Sequence, residues 1–394
     1  MTRKIKIGTR GSQLALWQAN WVKQALEKGV PCQGPAEPGR SKVHPVKRPL
    51  MDTQPVEAEI VIIRTTGDRI TDRPLALVGG KGLFVKEIEQ QLLDGDVDIA
   101  VHSMKDMPGE LPRGLKIGAV PARENPFDVL ISRNSEMLEN LPPGSRVGTS
   151  SLRRASQIKH ARPDLEILSI RGNLDTRLKK LDSGEYDAII LAAAGLIRLG
   201  MASRITQFLD ADIMLPAVGQ GALCIESRND DPMIDAVLQS IGDPMSRLAV
   251  EAERSFLKKL EGSCHIPVAC FGTVENEMLT LTGLVASCDG RAIIKETMTQ
   301  ALEEKMGGYD PDMKNISGMG GDELRMGNVS GMGGEELHIE NVSGMGGDEL
   351  HMENVSGMGG EEPDMENVRR MGEELAISLI DRGAKNILEN IIIP

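Results

Sequence analysis

The chain predicts an α/β protein: two doubly wound domains on substantially parallel sheets, then a smaller α+β unit. Three observations predict it. First, apolar runs of strand length alternate with amphipathic stretches over roughly the first two hundred residues, as in Ile60-Val-Ile-Ile63, Asp96-Val-Asp-Ile-Ala-Val-His102 and Asp187-Ala-Ile-Ile-Leu-Ala192. Repeated strand–helix units of this kind build parallel sheets with helices on their faces. Second, several runs end in a short polar loop that opens a helix, most clearly Val147-Gly-Thr-Ser-Ser-Leu-Arg-Arg154 and Arg171-Gly-Asn-Leu-Asp-Thr-Arg177. Third, from Pro244 the pattern becomes one long helix to Leu260 and then strands near 268–274, 278–286 and 291–299.

Residues 4–8 read as the first strand, and Ser12 is placed to cap the helix that follows. Leu14, Trp17, Trp21 and Ala25 fall on one face of that helix. Residues 29–55 hold six prolines and read as an insertion without its own core. Val56–Arg64 is a strand. Val78-Gly-Gly-Lys-Gly82 leads to a helix with Phe84, Ile88 and Leu92 on one face, and lacks the spacing of a Walker A loop. The strand 96–102 runs into Ser103-Met104-Lys105-Asp106-Met107-Pro108, a strand end of the kind that carries site residues in α/β sheets. There Lys105 and Asp106 form either a plain ion pair or part of a site. Strands follow at 116–120, 128–132, 147–150, 165–170 and 187–192, and Leu215–Ala222 reads as a crossover between domains.

Arg153 and Arg154 fall in a first helical turn, where each positive charge costs roughly 0.3–1 kcal/mol. Either they are solvated at the surface, or an anion bound among them offsets that cost. Arg10 and Arg177 repeat the placement.

Composition bounds the rest. A 394-residue chain accommodates two or three domains, and with only 2% aromatic residues its cores must be aliphatic. No apolar run approaches the ~20 residues of a membrane span. The first residues enter a strand pattern without a signal-peptide segment. Five widely spread cysteines without a CxxC argue against a disulfide framework or a zinc site and for a reducing cytosol. Cys224, Cys270 and Cys288 read as core. Cys264, in the loop Ser263-Cys-His-Ile-Pro267, is either a buried thiol or a displayed one. His102 and His265 read as structural, and no metal is expected.

The net charge of −13 is uneven: residues 305–369 carry 14 acidic against 4 basic side chains. The remainder is nearly balanced and shows no basic stripe with stacking aromatics, so no nucleic-acid partner is expected. Residues 305–369 are five copies of a 13-residue repeat, the clearest being Gly331-Met-Gly-Gly-Glu-Glu-Leu-His-Ile-Glu-Asn-Val-Ser343. Thirteen residues rotate a helical face by about 140° per copy, so no apolar stripe accumulates. The repeat reads as an acidic loop with no inferred partner. Joining Glu304 to Arg370 restores a helix through Met371 and Leu375 to Ile380, stopped at Arg382-Gly383.

Seven motifs in order resemble the porphobilinogen deaminase (hydroxymethylbilane synthase) family. They are Thr9-Arg-Gly-Ser-Gln-Leu-Ala-Leu-Trp-Gln18, Gly79-Gly-Lys-Gly-Leu-Phe84, His102-Ser-Met-Lys-Asp-Met-Pro108, Gly148–Arg154, Arg171–Arg177, Leu215-Pro-Ala-Val-Gly-Gln-Gly221 and Leu260-Glu-Gly-Ser-Cys-His-Ile-Pro267. The resemblance covers everything except 29–55 and 305–369. It implies two domains similar to periplasmic binding proteins, 1–121 with 222–240 and 122–221, and a cofactor-carrying α+β domain, 241–394. It implies a cytoplasmic, monomeric transferase of tetrapyrrole biosynthesis that joins four porphobilinogen units and releases ammonia. The cofactor implied is dipyrromethane, bound covalently through Cys264. Asp106 matches the catalytic aspartate. Ser103, Lys105, Asp106, Thr149, Ser150, Ser151, Arg153, Arg154 and Arg171 match cofactor-binding positions. Arg10, Ser12, Gln18, Lys81, Phe84, Arg177 and Arg198 match substrate-binding positions. Some members carry a lysine at the place of Leu77, so that contact is missing here. The rival reading is a non-catalytic anion-binding protein, which explains the arginines but neither Cys264 nor Asp106.

Overall fold

The computed structural model describes residues 4–28, 56–69, 82, 84–260, 266–302 and 365–389. The insertion 29–55, Leu77, Lys81, Cys264, His265 and most of the 13-residue repeat lie outside the described residues.

Two five-stranded sheets share one topology. The first orders its strands β2-β1-β3-β10-β4: β1 (Ile5–Thr9), β2 (Ala58–Ile62), β3 (Ile99–Ser103), β4 (Leu115–Ala119) and β10 (Leu223–Arg228). The second runs β7-β6-β8-β5-β9: β5 (Asp128–Ser132), β6 (Arg146–Gly148), β7 (Glu166–Leu168), β8 (Ala188–Ala192) and β9 (Gln207–Leu209). In each, three strands are parallel and the fourth is antiparallel to both its neighbours. The sheets are therefore mixed rather than substantially parallel. The physical reason is a strand exchange. β5 enters the second sheet before its parallel strands, and β10 returns to the first sheet after them.

Helices cover both faces of each sheet. On the first, α1 (Gln13–Lys28) covers one face, Val22 and Leu26 joining the β1 residues Ile5 and Ile7 in one core. A single turn, α2 (Thr66–Arg69), precedes α3 (Lys86–Asp94), whose Ile88 and Leu92 cover the other face with Ile63 and Ala100. On the second sheet, α4 (Leu152–Ala161) buries Ile158 against Leu130 and Ile190. α5 (Leu174–Asp182) and α6 (Ala193–Arg198) close the opposite face through Leu178, Leu181 and Leu196. α7 (Pro232–Gln239) adds Ile234 and Leu238 to the α1 side of the first sheet.

The buried face of α1 is Ala15, Gln18, Ala19, Val22, Ala25 and Leu26. Leu14, Trp17 and Trp21, expected to share that face with Ala25, are only half-buried. Small residues let the helix lie close to the sheet, and Leu14 and Trp17 turn toward α6 instead.

The third sheet is the antiparallel β11 (Val268–Glu275), β12 (Met278–Ala286) and β13 (Ile293–Ala301). α8 (Pro244–Lys259) and α9 (Met365–Leu379) pack on it around Phe256, Leu281 and Leu375. A Cβ at Gly372 would strike the α8 backbone at Ala252 and Phe256, so glycine sets how closely α9 lies on α8. α9 begins at Met365, five residues before the expected join at Arg370, because Met365 and Val368 of the last repeat copy already pack into this core. Gly383, at φ 101°, kinks the chain rather than ending it, and α10 (Lys385–Glu389) follows.

Two crossovers link the five-stranded sheets, 120–127 and 210–222. They run side by side: the Glu124 amide donates to the Gly221 carbonyl at 3.2 Å. Gly221 holds φ 89°, and a Cβ there would strike the Glu124 carbonyl. Fully buried Glu253 of α8 ties both crossovers to the third sheet. It accepts from Arg123 at 2.5 Å, the Gly219 amide at 2.6 Å and the Gly272 amide at 2.9 Å.

Candidate active site

The site is built from the C-terminal ends of the parallel strands, where loops open into helices and backbone N–H groups are unpaired. After β1, Ser12 caps α1, its Oγ accepting from the Ala15 amide at 3.3 Å. Arg10 donates through Nε to both oxygens of Asp68, at 3.1 and 3.3 Å, and lies 4.1 Å over the Phe84 ring. Burial alone would raise the Asp68 carboxyl, but Arg10 holds it below its ordinary value. After β3, a turn over Met104–Asp106 presents Lys105 and Asp106. Gln18, buried in α1, donates to Ser103 Oγ at 2.9 Å. Arg10, Ser12, Gln18, Phe84, Ser103 and Asp106 line one small open cleft of about 70 Å³.

The second sheet supplies the arginines. Ser151 caps α4, accepting from the Arg154 amide at 3.5 Å. Thr149 accepts from the Ser151 amide at 3.2 Å, and Ser150 donates to the Ile170 carbonyl at 2.6 Å, joining the two arginine loops. Arg153 and Arg154 turn inward, at 5% and 6% exposure, and share the carboxylate of Asp128 at 2.7 and 2.9 Å. The anion that offsets their unfavourable helix position is thus a protein carboxylate, not a bound one. Burial would raise Asp128, but Arg153 and Arg154 outweigh it and hold its pKa at about 2. Two guanidinium groups on one carboxylate leave a net positive charge. Arg177 donates to the Gly172 carbonyl at 2.8 Å, and Arg198 to the Gly221 carbonyl at 2.7 Å, with Trp17 6.0 Å from its guanidinium. Arg171 has no hydrogen bond or ion pair among the described residues.

These two strand-end clusters share one electrostatic field. Burial, then Arg154, pushes Lys105 down to about 8, while Asp106 and Asp128 oppose the shift. Burial, then Arg154 and Arg171, pushes Arg177 down to about 10, while Asp106 opposes it. Lys105 and Asp106 of the first sheet therefore lie within interaction range of Arg154 or Arg177 of the second. The result is a partly enclosed region with excess positive charge and one exposed carboxylate. It suits a ligand carrying several carboxylates, which would restore the charge of Lys105 and pair the guanidinium forks.

Comparison with known proteins decides the family. Residues 5–236 match the family model for the porphobilinogen deaminase dipyromethane cofactor binding domain, and 247–307 match that for the porphobilinogen deaminase C-terminal domain. The chain belongs to the porphobilinogen deaminase family. It is 47% identical over 302 residues to porphobilinogen deaminase of Pelobacter propionicus, covering 77% of this chain and 90% of that one. With the enzyme of Exiguobacterium sp. the identity is 52% over 298 residues, covering 75% and 90%. Among solved structures, a probable amino-acid ABC transporter extracellular-binding protein from Bacillus subtilis superposes with TM-score 0.35 at 14% identity, covering 61% of this chain and 92% of that one. A porphobilinogen deaminase is a transferase: a hydroxymethylbilane synthase that joins porphobilinogen units on a dipyrromethane cofactor in tetrapyrrole biosynthesis.

The sequence missed Asp128, which the head of the strand Asp128-Val-Leu-Ile-Ser132 could have flagged as an acid entering an apolar run. It also missed Glu226, another acid inside a strand, in Leu223-Cys-Ile-Glu-Ser-Arg228. Cys224 and Cys270 are fully buried, as expected of core residues. Cys288 is not core: it is half-buried in the turn after β12.

Proposed function

We propose that the cationic space between the two strand-end clusters binds the acetate and propionate groups of porphobilinogen and of the lengthening chain, with Asp106 facing the reacting centre. The single observation that carries this reading is the shared field of Lys105, Asp106, Arg154, Arg171 and Arg177. Arg10, Ser12, Gln18, Lys81, Phe84, Arg177 and Arg198 take the incoming substrate. Ser103, Lys105, Thr149, Ser150, Ser151, Arg153, Arg154 and Arg171 hold the dipyrromethane. Within that set Arg153 and Arg154 act mainly through the net charge they leave with Asp128. Asp106 is free to accept hydrogen bonds from pyrrole N–H groups and to stabilise the positive charge left when ammonia departs.

The residues fit the cofactor, since uncompensated Arg171 and desolvated Lys105 and Arg177 all gain from a polycarboxylate. When bound, it supplies the primer on which the chain is extended. Cys264 is its attachment point in this reading. The described alternatives are poor nucleophiles, because burial raises the thiols of Cys224, Cys270 and Cys288. We read the three sheets as three domains, 1–121 with 222–240, 122–221 and 241–394. We read the enzyme as a cytoplasmic monomer acting on a small molecule without nucleic acid. No described helix is long and apolar enough to cross a membrane.

Intact mass tests the reading. The purified protein should exceed its sequence mass by two pyrrole units, and Cys264→Ala should abolish the excess. Active protein with an unmodified Cys264 rejects it. Asp106→Asn should fold and load normally yet lose about 10²–10⁴-fold in kcat.

A further inference from the structure

Behind the cavity, on the α3 side of the first sheet, lies a polar cluster that this reading leaves unused. His102 Nε2 is 3.1 Å from Glu226 Oε2, and the two side chains are 4% and 0% exposed. In the β3–β10 register His102 pairs with Cys224 and Ala100 with Glu226, so His102 and Glu226 share one face of the sheet. Glu89 of α3 completes the cluster from above. Glu226 Oε1 and Glu89 Oε1 have no hydrogen-bond partner among the described residues. His102 is also part of the cavity wall that holds Asp106.

The Glu226 contact decides which imidazole nitrogen is available. An ionised carboxylate only accepts, so Nε2 carries a hydrogen whether the ring is neutral or charged. The other ring nitrogen, Nδ1, has no hydrogen-bond partner among the described residues. This is the arrangement by which a buried acid orients a histidine for proton transfer.

We propose that His102, oriented by Glu226 with Glu89 behind it, is a catalytic proton carrier of the condensation. This rests on the reading of the Asp106 cavity as the active site. In each condensation the aminomethyl C–N bond breaks, its electron pair leaving with ammonia, and one C–C bond forms. The pyrrole carbon that forms the new bond gives up one proton. Nδ1 of His102 takes that proton and passes it to the ammonia, which leaves as ammonium. Atoms and charge balance without an oxidant or reductant. Asp106 faces the positive charge while His102 moves the proton, so the two side chains divide the work.

The groups around His102 favour this role. Burial, then the charge of Glu226, pushes Glu89 up to about 7, with His102 and Lys86 opposing. Near neutral pH Glu89 therefore holds a proton part of the time. Cys224 is adjacent on β10, but burial raises its thiol and it stays neutral. Arg247 and Arg254 of α8 contribute fixed positive charge at Cys224, and Arg10 and Asp106 line the same cavity as His102.

The test is His102→Gln in the loaded enzyme, because a glutamine amide still donates to Glu226 but cannot titrate. Cofactor loading by intact mass should match wild type and KM should stay within about twofold. The kcat should fall about 10²-fold, the usual scale of general acid–base catalysis, and the acid limb of its pH profile should vanish. A kcat within twofold of wild type with the limb intact overturns the proposal. If His102→Gln fails to fold or load, nitrogen NMR of histidine-labelled wild-type protein decides. An Nε2–H tautomer whose Nδ1 titration moves on Glu226→Gln supports the proposal, and an Nδ1–H tautomer or a non-titrating ring overturns it. Normal turnover in Asp106→Asn would instead sink the underlying site reading, whatever His102→Gln does.

Discussion

Asp128 and Glu226 each sit, fully buried, on the antiparallel fourth strand of a five-stranded sheet, and their surroundings differ in kind. Asp128 pairs with Ala192, the last residue of β8, so it lies at the sheet edge where the arginine helices begin. There Arg153, Arg154 and Gln220 all donate to it. Glu226 pairs with Ala100, deeper in its sheet, and among the described residues its carboxylate has a hydrogen-bond contact with His102 alone. The first acid is fixed as an anion that anchors two cations. The second faces a histidine and raises a neighbouring carboxyl, Glu89. One topology thus yields a static charge clamp in one sheet and a buried His–Glu–Glu cluster in the other, and depth along the strand makes the difference.

Removing each acid separates the two cases most sharply. Asp128→Asn leaves Arg153 and Arg154 buried with half their hydrogen bonds to a neutral group. Breaking a buried pair this way costs about 3–5 kcal/mol. Urea unfolding should show a midpoint shift of that size with an unchanged slope. Glu226→Gln removes one partner but also relieves the repulsion that raises Glu89, so its cost should stay under about 1 kcal/mol. Equal losses in the two variants would show that the acids have equivalent roles.

Those contrasts mark what the sequence could and could not disclose. The loop chemistry was local and therefore legible: Ser12 caps its helix, and Arg10, Lys105, Asp106 and Arg177 stand at strand ends. The partners were not local. Asp128 lies 25 residues from Arg153, and Glu226 lies 124 residues from His102. Only the strand exchange, with β5 and β10 each crossing between the parallel sets, brings them together. Periodicity placed α1 but turned the wrong face of it inward. The large residues Leu14, Trp17 and Trp21 carried the pattern, while Ala15, Ala19 and Ala25 won the core by letting the helix sit close.

Lys105 offers a smaller effect that joins the two sheets. Its folded pKa of about 8 means that it carries charge below that pH and loses it above. A carboxylate ligand stabilises the charged form, so affinity should fall as pH rises through about 8. The KM for porphobilinogen should climb there while kcat changes little. Lys105→Arg, which stays charged, should flatten that limb. A KM that stays level to pH 9 in wild-type enzyme would detach Lys105 from ligand binding.

The subtlest contrast is the sign of stability against pH. Asp128 titrates at about 2 when folded and near 3.8 otherwise. Between those values the unfolded chain binds more protons, so stability falls as pH drops from about 4 toward 2. Glu89 has the opposite sign: folded it titrates at about 7, against an ordinary 4.5. Between those values the folded protein binds more protons, so stability falls as pH rises from about 4.5 to 7. Glu89→Gln should flatten the second slope and leave the first, while Asp128→Asn should do the reverse. Chemical denaturation across pH 3–8 reads both slopes at once. If Glu89→Gln leaves the upper slope unchanged, the cluster behind the cavity is not sharing protons, and the contrast between the two sheets reduces to Asp128 alone.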